Sequence, residues 1–361
     1  MGSAILSVAT AVPERRLEAS EALGHLRPFW PQLAKLAEAE AAVGVRYVCE
    51  PVEDLLRERS LDELRDSYMR HARRLASNAA RQALSRAHVQ ASEIDVVITV
   101  SCTGYLVPSL DVYMSEDLGF RRDIVRLPIT ELGCSGGAAA IAAAHRHLVG
   151  FADQKVLVVA VELPSLNFHR SDASLDNLTA CLVFGDGAGA AVLAKPDPQA
   201  NRLEVLQTAS HLIPGTAHVL GFDLRDGGFH VVLDRRLPRI LERELRGAVE
   251  AFMSVSGLRE PDFYAVHAAG PRIFDTIQSA LGLDAGALDV SRQVFAEVGN
   301  TSSAAIFFTL EKMFAAEDQR EGEGLGIGIG PGVSLELMHL VRVPAGVEAA
   351  AQTRKRPFSM I

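Results

Sequence analysis

Two stretches decide how this chain is read. Residues 133–141 run Gly133-Cys134-Ser135-Gly136-Gly137-Ala138-Ala139-Ala140-Ile141, and residues 299–307 run Gly299-Asn300-Thr301-Ser302-Ser303-Ala304-Ala305-Ile306-Phe307. Each puts one chemically capable residue directly after a glycine, then enters small and apolar residues of helical character. A second echo follows each: Gly185-Asp186-Gly187-Ala188-Gly189 and Gly328-Ile329-Gly330-Pro331-Gly332. Two echoes in the same order point to a duplicated unit. Outward from them, β-rich runs predict strands at Ile94–Val100, Ile124–Ile129, Lys155–Val161, Cys181–Ala194 and Phe263–His267, with a strand pair across Gly326–Leu340. Helices are predicted at Leu61–Ala87, Gly137–Gly150, Arg236–Val255, Ile273–Leu281 and Ser302–Ala316, and residues 14–90 read mostly as helix. Strands alternating with helices give an α/β fold, with halves at 1–200 and 201–361 on either side of Pro196-Asp197-Pro198.

Composition narrows the function. The 361 residues are 48% hydrophobic and 22% charged, which excludes a disordered or fibrous chain. A net charge of −9 is not that of a nucleic-acid or membrane-surface binder, so neither is expected as a partner. The apolar stretch Ala4–Ala11 lacks a basic start, and no run reaches the length of a membrane span. The expectation is a cytoplasmic protein with reduced thiols. Cys49, Cys102, Cys134 and Cys181 lie 53, 32 and 47 residues apart, with neither metal-ligand nor disulfide-scaffold spacing. No metal site is expected, and the cysteines are buried small residues or, for one of them, a nucleophile.

Cys134 is the nucleophile candidate. It follows a predicted strand and opens a small-residue helix, where backbone N–H groups and the helix dipole favour thiolate. The alternative is a small residue packed at a tight turn. His267 ends an apolar run and enters Ala268-Ala269-Gly270-Pro271, so it is either a site residue or a hydrogen-bonded core histidine. Asn300 is a site residue or a helix N-cap. Together the three fit one chemistry. A Cys carries an acyl group, while a neutral His and an Asn amide donate to a carbonyl oxygen that turns negative on loss of CO₂. Cys102 and Cys181, on or beside predicted strands, read as packing residues, with Cys102 approaching the cavity. Gly185-x-Gly187-x-x-Ala190 matches a degenerate dinucleotide fingerprint, but strand rather than helix is expected to follow it.

At these residues the chain resembles the type III polyketide synthases, the chalcone-synthase-like family of the thiolase superfamily, in its bacterial form. The resemblance covers about residues 90–342 and rests on five ordered blocks: GCSGGAAA with Cys134, FGDGAGA (Phe184–Ala190), VHAAG with His267, GNTSSA with Asn300, and GIGIGPGVS (Gly326–Ser334). It implies a duplicated five-layer αβαβα fold in a homodimer. It also implies iterative decarboxylative Claisen condensation of malonyl-CoA onto an acyl-CoA starter, with no cofactor beyond the CoA thioester substrates. Cys134 would hold the chain, while His267 and Asn300 would drive decarboxylation, His267 also helping to keep the thiolate. Phe168 and Phe229 align with the family's two gatekeepers, and Ser302 and Gly221 fall where the family shapes its cavity. Arg46 falls in a region that resembles the family's basic stretch, where it would be a cation for the CoA tunnel mouth. Ala268 and Ala269 depart from the family's Pro-Gly, and Val107 stands where plant members send a methionine across the dimer.

The rival readings are β-ketoacyl-ACP synthase III, a papain-like hydrolase and a non-catalytic thiolase-fold partner. The first usually shows His-Gln-Ala-Asn and Gly-Gly-Gly where this chain has His-Ala-Ala-Gly and Gly-Pro-Gly. A papain-like signature is Trp-rich, and Trp30 is the single Trp.

Overall fold

The computed structural model describes residues 2–30, 44–225, 227–315 and 321–347. The strands are β1 (Ser3–Ala11), β2 (Arg15–Glu18), β3 (Val45–Val48), β4 (Val96–Val100), β5 (Val125–Ile129), β6 (Val156–Glu162), β7 (Gly187–Ala194), β8 (Arg202–Leu212), β9 (Leu220–Arg225), β10 (Gly228–Leu233), β11 (Phe263–Val266), β12 (Gly322–Gly330) and β13 (Ser334–Val343). Nine of them form one sheet in the order β11-β12-β13-β8-β1-β7-β6-β4-β5.

This order contains the duplication. In the first half, β4 runs parallel to β6, then β7 and β1 follow antiparallel. In the second half, β11 runs parallel to β12, then β13 and β8 follow antiparallel. The first half carries one more strand, β5, parallel to β4 at the outer edge. Within the large sheet the halves join through three residue pairs between β1 and β8: Ser3–Val205, Ala4–Glu204 and Ile5–Leu203.

Packing stacks these strands into five layers. Helix Gly136–Gly150 touches β4 and β6 of one half and β8, β12 and β13 of the other; helix Ala305–Ala315 touches β1, β7 and β11. These two helices form the middle layer, and alanine and glycine let the sheets close on them. Helix Leu61–Arg86 covers the outer face of β1, β6 and β7, while Leu237–Ser256 and Pro271–Leu281 cover the other side. The long helix begins at Ser60, whose hydroxyl accepts from the Glu63 N–H while Glu63 reaches back to the Ser60 N–H. The α/β, five-layer reading of the sequence therefore holds.

Local readings differ in several places, and strands β1 and β8 and helices Leu110–Leu118 and Asp289–Val298 are elements that the sequence reading does not predict. Cys181 lies in helix Leu175–Val183, capped by Ser174, and the strand begins only at Gly187. Apolar residues at 175, 178, 181 and 182 make a helical face, which the glycines after them obscured. Residues 15–18 and 45–48 pair as a ribbon inside the region read as helix. The hairpin β9–β10 had no sequence assignment and stands apart from the large sheet.

Candidate active site

Equivalent loops of the two halves meet at the middle layer. Cys134 lies in a single 3-10 turn, Gly133–Ser135, before helix Gly136–Gly150; Ser302–Ala304 is the matching turn before Ala305–Ala315. The loops interlock because glycine keeps them close. A Cβ on Gly133 would stand 2.5 Å from the Pro331 ring, and one on Gly137 would strike the Ser303 carbonyl. The first echo thus marks two helix starts that cross. His267 follows β11, and Cys102 follows β4, the corresponding strand of the first half.

Cys134, His267 and Asn300 all open on one cavity of about 260 Å³. Burial pushes the Cys134 thiol up to about 11, the nearby Glu162 charge adding to it, while a hydrogen bond with Ser302 Oγ at 3.4 Å opposes it. Burial thus outweighs the thiolate preference expected at a helix start. His267 is buried, which lowers its pKa to about 4 and keeps the ring neutral. Its Nδ1 accepts from the Ile329 N–H at 3.4 Å. That assigns the proton to Nε2, leaving an N–H donor on a ring that lines the cavity. Asn300 Oδ1 accepts from the Ser302 N–H at 2.8 Å and Nδ2 donates to the Ala269 carbonyl at 3.3 Å. The turn's N-cap is Thr301, so Asn300 is not the cap; its Oδ1 braces the turn from one residue before, and Nδ2 keeps a second hydrogen for the site. The FGDG block holds the Asn300 backbone: Asn300 N–H donates to Val183, and Gly185 N–H donates to Asn300, at 2.9 and 3.1 Å. Gly187 opens a strand, so the dinucleotide reading falls away.

A smaller cavity of about 30 Å³ meets the first at Cys134. Phe168, Gly221 and Ser302 line it, together with Cys102 and Phe222. Ser302 is buried, adopts φ 51° and lies 3.6 Å from Cys102 Sγ through its hydroxyl. Two expectations change. Phe229 lines neither cavity; it shares a hairpin face with Val231 and Leu233 but lies further along β10, against Phe222 with ring centroids 6.0 Å apart, and Phe222 is the ring that reaches the chamber. Arg46 is not a mouth cation. It is 1% exposed, donates to the Cys181 carbonyl and packs against Gly185 and Gly299.

Three residues of the site escaped the sequence reading. Glu162 ends β6 fully buried, accepting from the backbone N–H of Cys102 and Thr103, from Thr103 Oγ1 at 2.6 Å and from Ser303 Oγ. It ties the loop after β4 to the loop after Asn300, and burial raises its pKa. The available signal was a lone acid closing the apolar run Lys155-Val156-Leu157-Val158-Val159-Ala160-Val161. Arg235 and Arg272 line the large cavity, exposed, and among the described residues neither has a carboxylate partner. The acids beside them are already engaged: Asp176 accepts from the Leu233 N–H at 2.9 Å, and Asp234 is held by Arg236 at 2.6 Å. The cavity wall is therefore locally cationic.

Residues 52–198 match the N-terminal domain, and residues 204–344 the C-terminal domain, of the chalcone and stilbene synthases. The chain is 34% identical over 320 residues to 1,3,6,8-tetrahydroxynaphthalene synthase of Streptomyces coelicolor, covering 86% of this chain and 84% of that one. It is 31% identical over 310 residues to phloroglucinol synthase of Pseudomonas fluorescens, with 84% and 88% covered. The crystal structure of the Streptomyces coelicolor synthase, a bacterial type III polyketide synthase, superposes with a TM-score of 0.89 at 32% identity, over 95% of this chain and 99% of that one. The C-terminal type III polyketide synthase domain of Steely1 from Dictyostelium, at 20% identity, shares the fold with a TM-score of 0.89, over 95% and 100%.

Proposed function

The chain belongs to the chalcone and stilbene synthase family, and from that premise we propose that it is a type III polyketide synthase. It is an acyltransferase that condenses malonyl-CoA units iteratively onto an acyl-CoA starter, or onto malonyl-CoA itself, and closes the product to a pyrone or phenolic ring. The observation that carries this reading is the shared cavity, in which one thiol and two hydrogen-bond donors from opposite halves face the same space.

The chemistry follows from those three groups. Cys134 Sγ attacks the starter thioester; the new S–C bond forms as the old one breaks, and CoA leaves as the thiol with the Cys134 proton. Malonyl-CoA then places its thioester oxygen between His267 Nε2–H and Asn300 Nδ2–H. Loss of CO₂ leaves an enolate whose charge those donors hold, and a neutral imidazole suits this task because it gives up no proton to the enolate. The enolate carbon attacks the acyl carbonyl on Cys134, a C–C bond forms, and the sulfur departs. The reaction calls for CoA thioesters as substrates and no further cofactor. Arg235 and Arg272 supply the cations that CoA phosphates require, the role Arg46 is too buried to fill.

A homodimer completes the proposal. Val125 and Leu127 on edge strand β5 are 54% and 43% exposed, and Tyr105 and Val107 beside them are 65% and 79% exposed. An apolar sheet edge of this kind calls for a cover, and a second copy meeting the same edge supplies it. Among the described residues no helix is long and apolar enough to cross a membrane, which fits the proposed cytoplasmic location.

Incubation with malonyl-CoA and a panel of acyl-CoA starters, read by mass spectrometry, tests the reading. Polyketide masses from malonyl-CoA are expected. Turnover of malonyl-ACP but not malonyl-CoA would assign the chain to β-ketoacyl-ACP synthase III chemistry instead.

A further inference from the structure

The hairpin β9–β10 roofs the small cavity beside Cys134 with Gly221, Phe222 and Val231, and Phe168 stands on the facing wall. It shares no strand pairing with the large sheet, and a lone hairpin is only marginally stable. Its base is held where the Leu233 N–H donates to Asp176 and the Leu220 carbonyl accepts from the Gly332 N–H, and its far end by a tie to the wall that carries Phe168. That tie is built from the residues that follow Phe168 and Phe229. The rings of His169 and His230 stack with centroids 3.8 Å apart and planes 6° apart. His169 Nε2 donates to the Phe229 carbonyl at 2.8 Å, and His230 Nδ1 meets Asp172 Oδ2 at 3.3 Å. The wall side is fixed in turn by Asn177, whose Nδ2 donates to the carbonyls of His169 and Asp172 at 2.8 and 2.7 Å. A loop held this firmly acts as the anchor, and the hairpin as the part that yields.

The chamber under this roof holds about 30 Å³, room for about two waters. An acyl chain on Cys134 that grows in this direction must lift the hairpin. We propose that the His169–His230 stack with Asp172 is a positioning clasp that sets how far the roof opens, and so limits the length of chain built on Cys134. The inference rests on the polyketide synthase reading. Neither histidine lines either cavity at Cys134, so their action is through the hairpin rather than on the reacting atoms.

The test compares His230→Ala, His169→Gln and Asp172→Asn with wild type. His169→Gln keeps an amide donor for the Phe229 carbonyl and removes only the stack, so it remains informative where His230→Ala folds poorly. Two readouts are taken: the product mass distribution from malonyl-CoA with short and long starters, and hydrogen exchange of residues 220–233. The clasp predicts products longer by at least one extension, or acceptance of a longer starter. It also predicts about tenfold faster exchange in the hairpin, with the malonyl-CoA KM and decarboxylation rate within about twofold of wild type. His230→Phe, which restores a stacked ring, should bring the distribution back toward wild type. An unchanged distribution with unchanged exchange in all variants overturns the clasp. A wild-type protein that makes no polyketide overturns the functional reading instead, and hairpin exchange then still decides whether the stack holds the roof.

Discussion

Ser302 Oγ lies 3.4 Å from Cys134 Sγ, and this hydroxyl from the second half is the one side-chain hydrogen bond that opposes the burial of the thiol. Removing it should push the thiol further toward its protonated form. Ser302→Ala is expected to slow iodoacetamide labelling of Cys134 at pH 8 by about fivefold, the equivalent of about 1 kcal/mol for one hydrogen bond. Preloading with an acyl-CoA should protect Cys134 in both proteins. Labelling of Ser302→Ala at the wild-type rate would show that the contact does not tune the sulfur.

The two remaining candidates separate by step. Cys134→Ala should abolish acyl loading. Asn300→Ala should lower malonyl-CoA decarboxylation by about a hundredfold or more, the scale of a lost oxyanion donor, while starter loading falls far less. Loading followed by intact-protein mass and decarboxylation followed by released CO₂ give the two rates; equal losses would contradict the role assigned to Asn300.

Arg235 and Arg272 face the large cavity without carboxylate partners among the described residues. The double variant Arg235→Ala/Arg272→Ala should raise the KM for malonyl-CoA about tenfold and flatten its salt dependence. A malonyl thioester of N-acetylcysteamine, which lacks phosphates, should show an unchanged KM. A KM rising equally for both substrates would place the arginines in structure rather than in phosphate recognition.

His267 ties stability to pH. Its folded pKa is lowered to about 4 from the ordinary 6.5, so on acidification the unfolded chain takes up the proton first. Its contribution is therefore intact above pH 6.5 and is lost as pH falls toward 4. Between pH 7 and pH 5 the loss should be about 2 kcal/mol. Urea denaturation of wild type and His267→Gln at the two pH values measures it: the variant should lose less stability by about that amount.

Gly137 tests the helix crossing. A methyl there strikes the Ser303 carbonyl, so Gly137→Ala should cost about 3 kcal/mol and reduce activity through the displaced 300–303 loop. Thermal melting and condensation rate should fall together.

Much of this arrangement was legible because the residues that carry it are the punctuation of the sequence. Gly133 and Gly299 precede the two site residues, and His267 closes an apolar run; local pattern marks them as candidates, and the five ordered family blocks separate them from a packed turn, a core histidine and an N-cap. Glu162 was illegible for the opposite reason, since its partners Thr103 and Ser303 lie 59 and 141 residues away and no period links them. Arg46 misled because a charged residue reads as surface; its burial depends on Gly185 and Gly299 closing around it. Phe229 aligned correctly and shares a hairpin face with Phe222 and Val231, yet it stands too far along β10 to line the chamber, a placement that alignment does not fix. The hairpin itself lacks a strong alternating pattern, its residues being only half-buried.

The three-pair seam between β1 and β8 has a mechanical consequence. So short a joint leaves the placement of Cys134 relative to Asn300 to the contacts that the halves make elsewhere. Among those contacts is the one where helix Gly136–Gly150 meets the turn Ser302–Ala304, with Gly137 against Ser303. Alignment of the reacting groups is thus governed by small residues that never meet a substrate. Selection for a faster catalyst would act as strongly on those glycines and alanines as on the thiol, the imidazole and the amide.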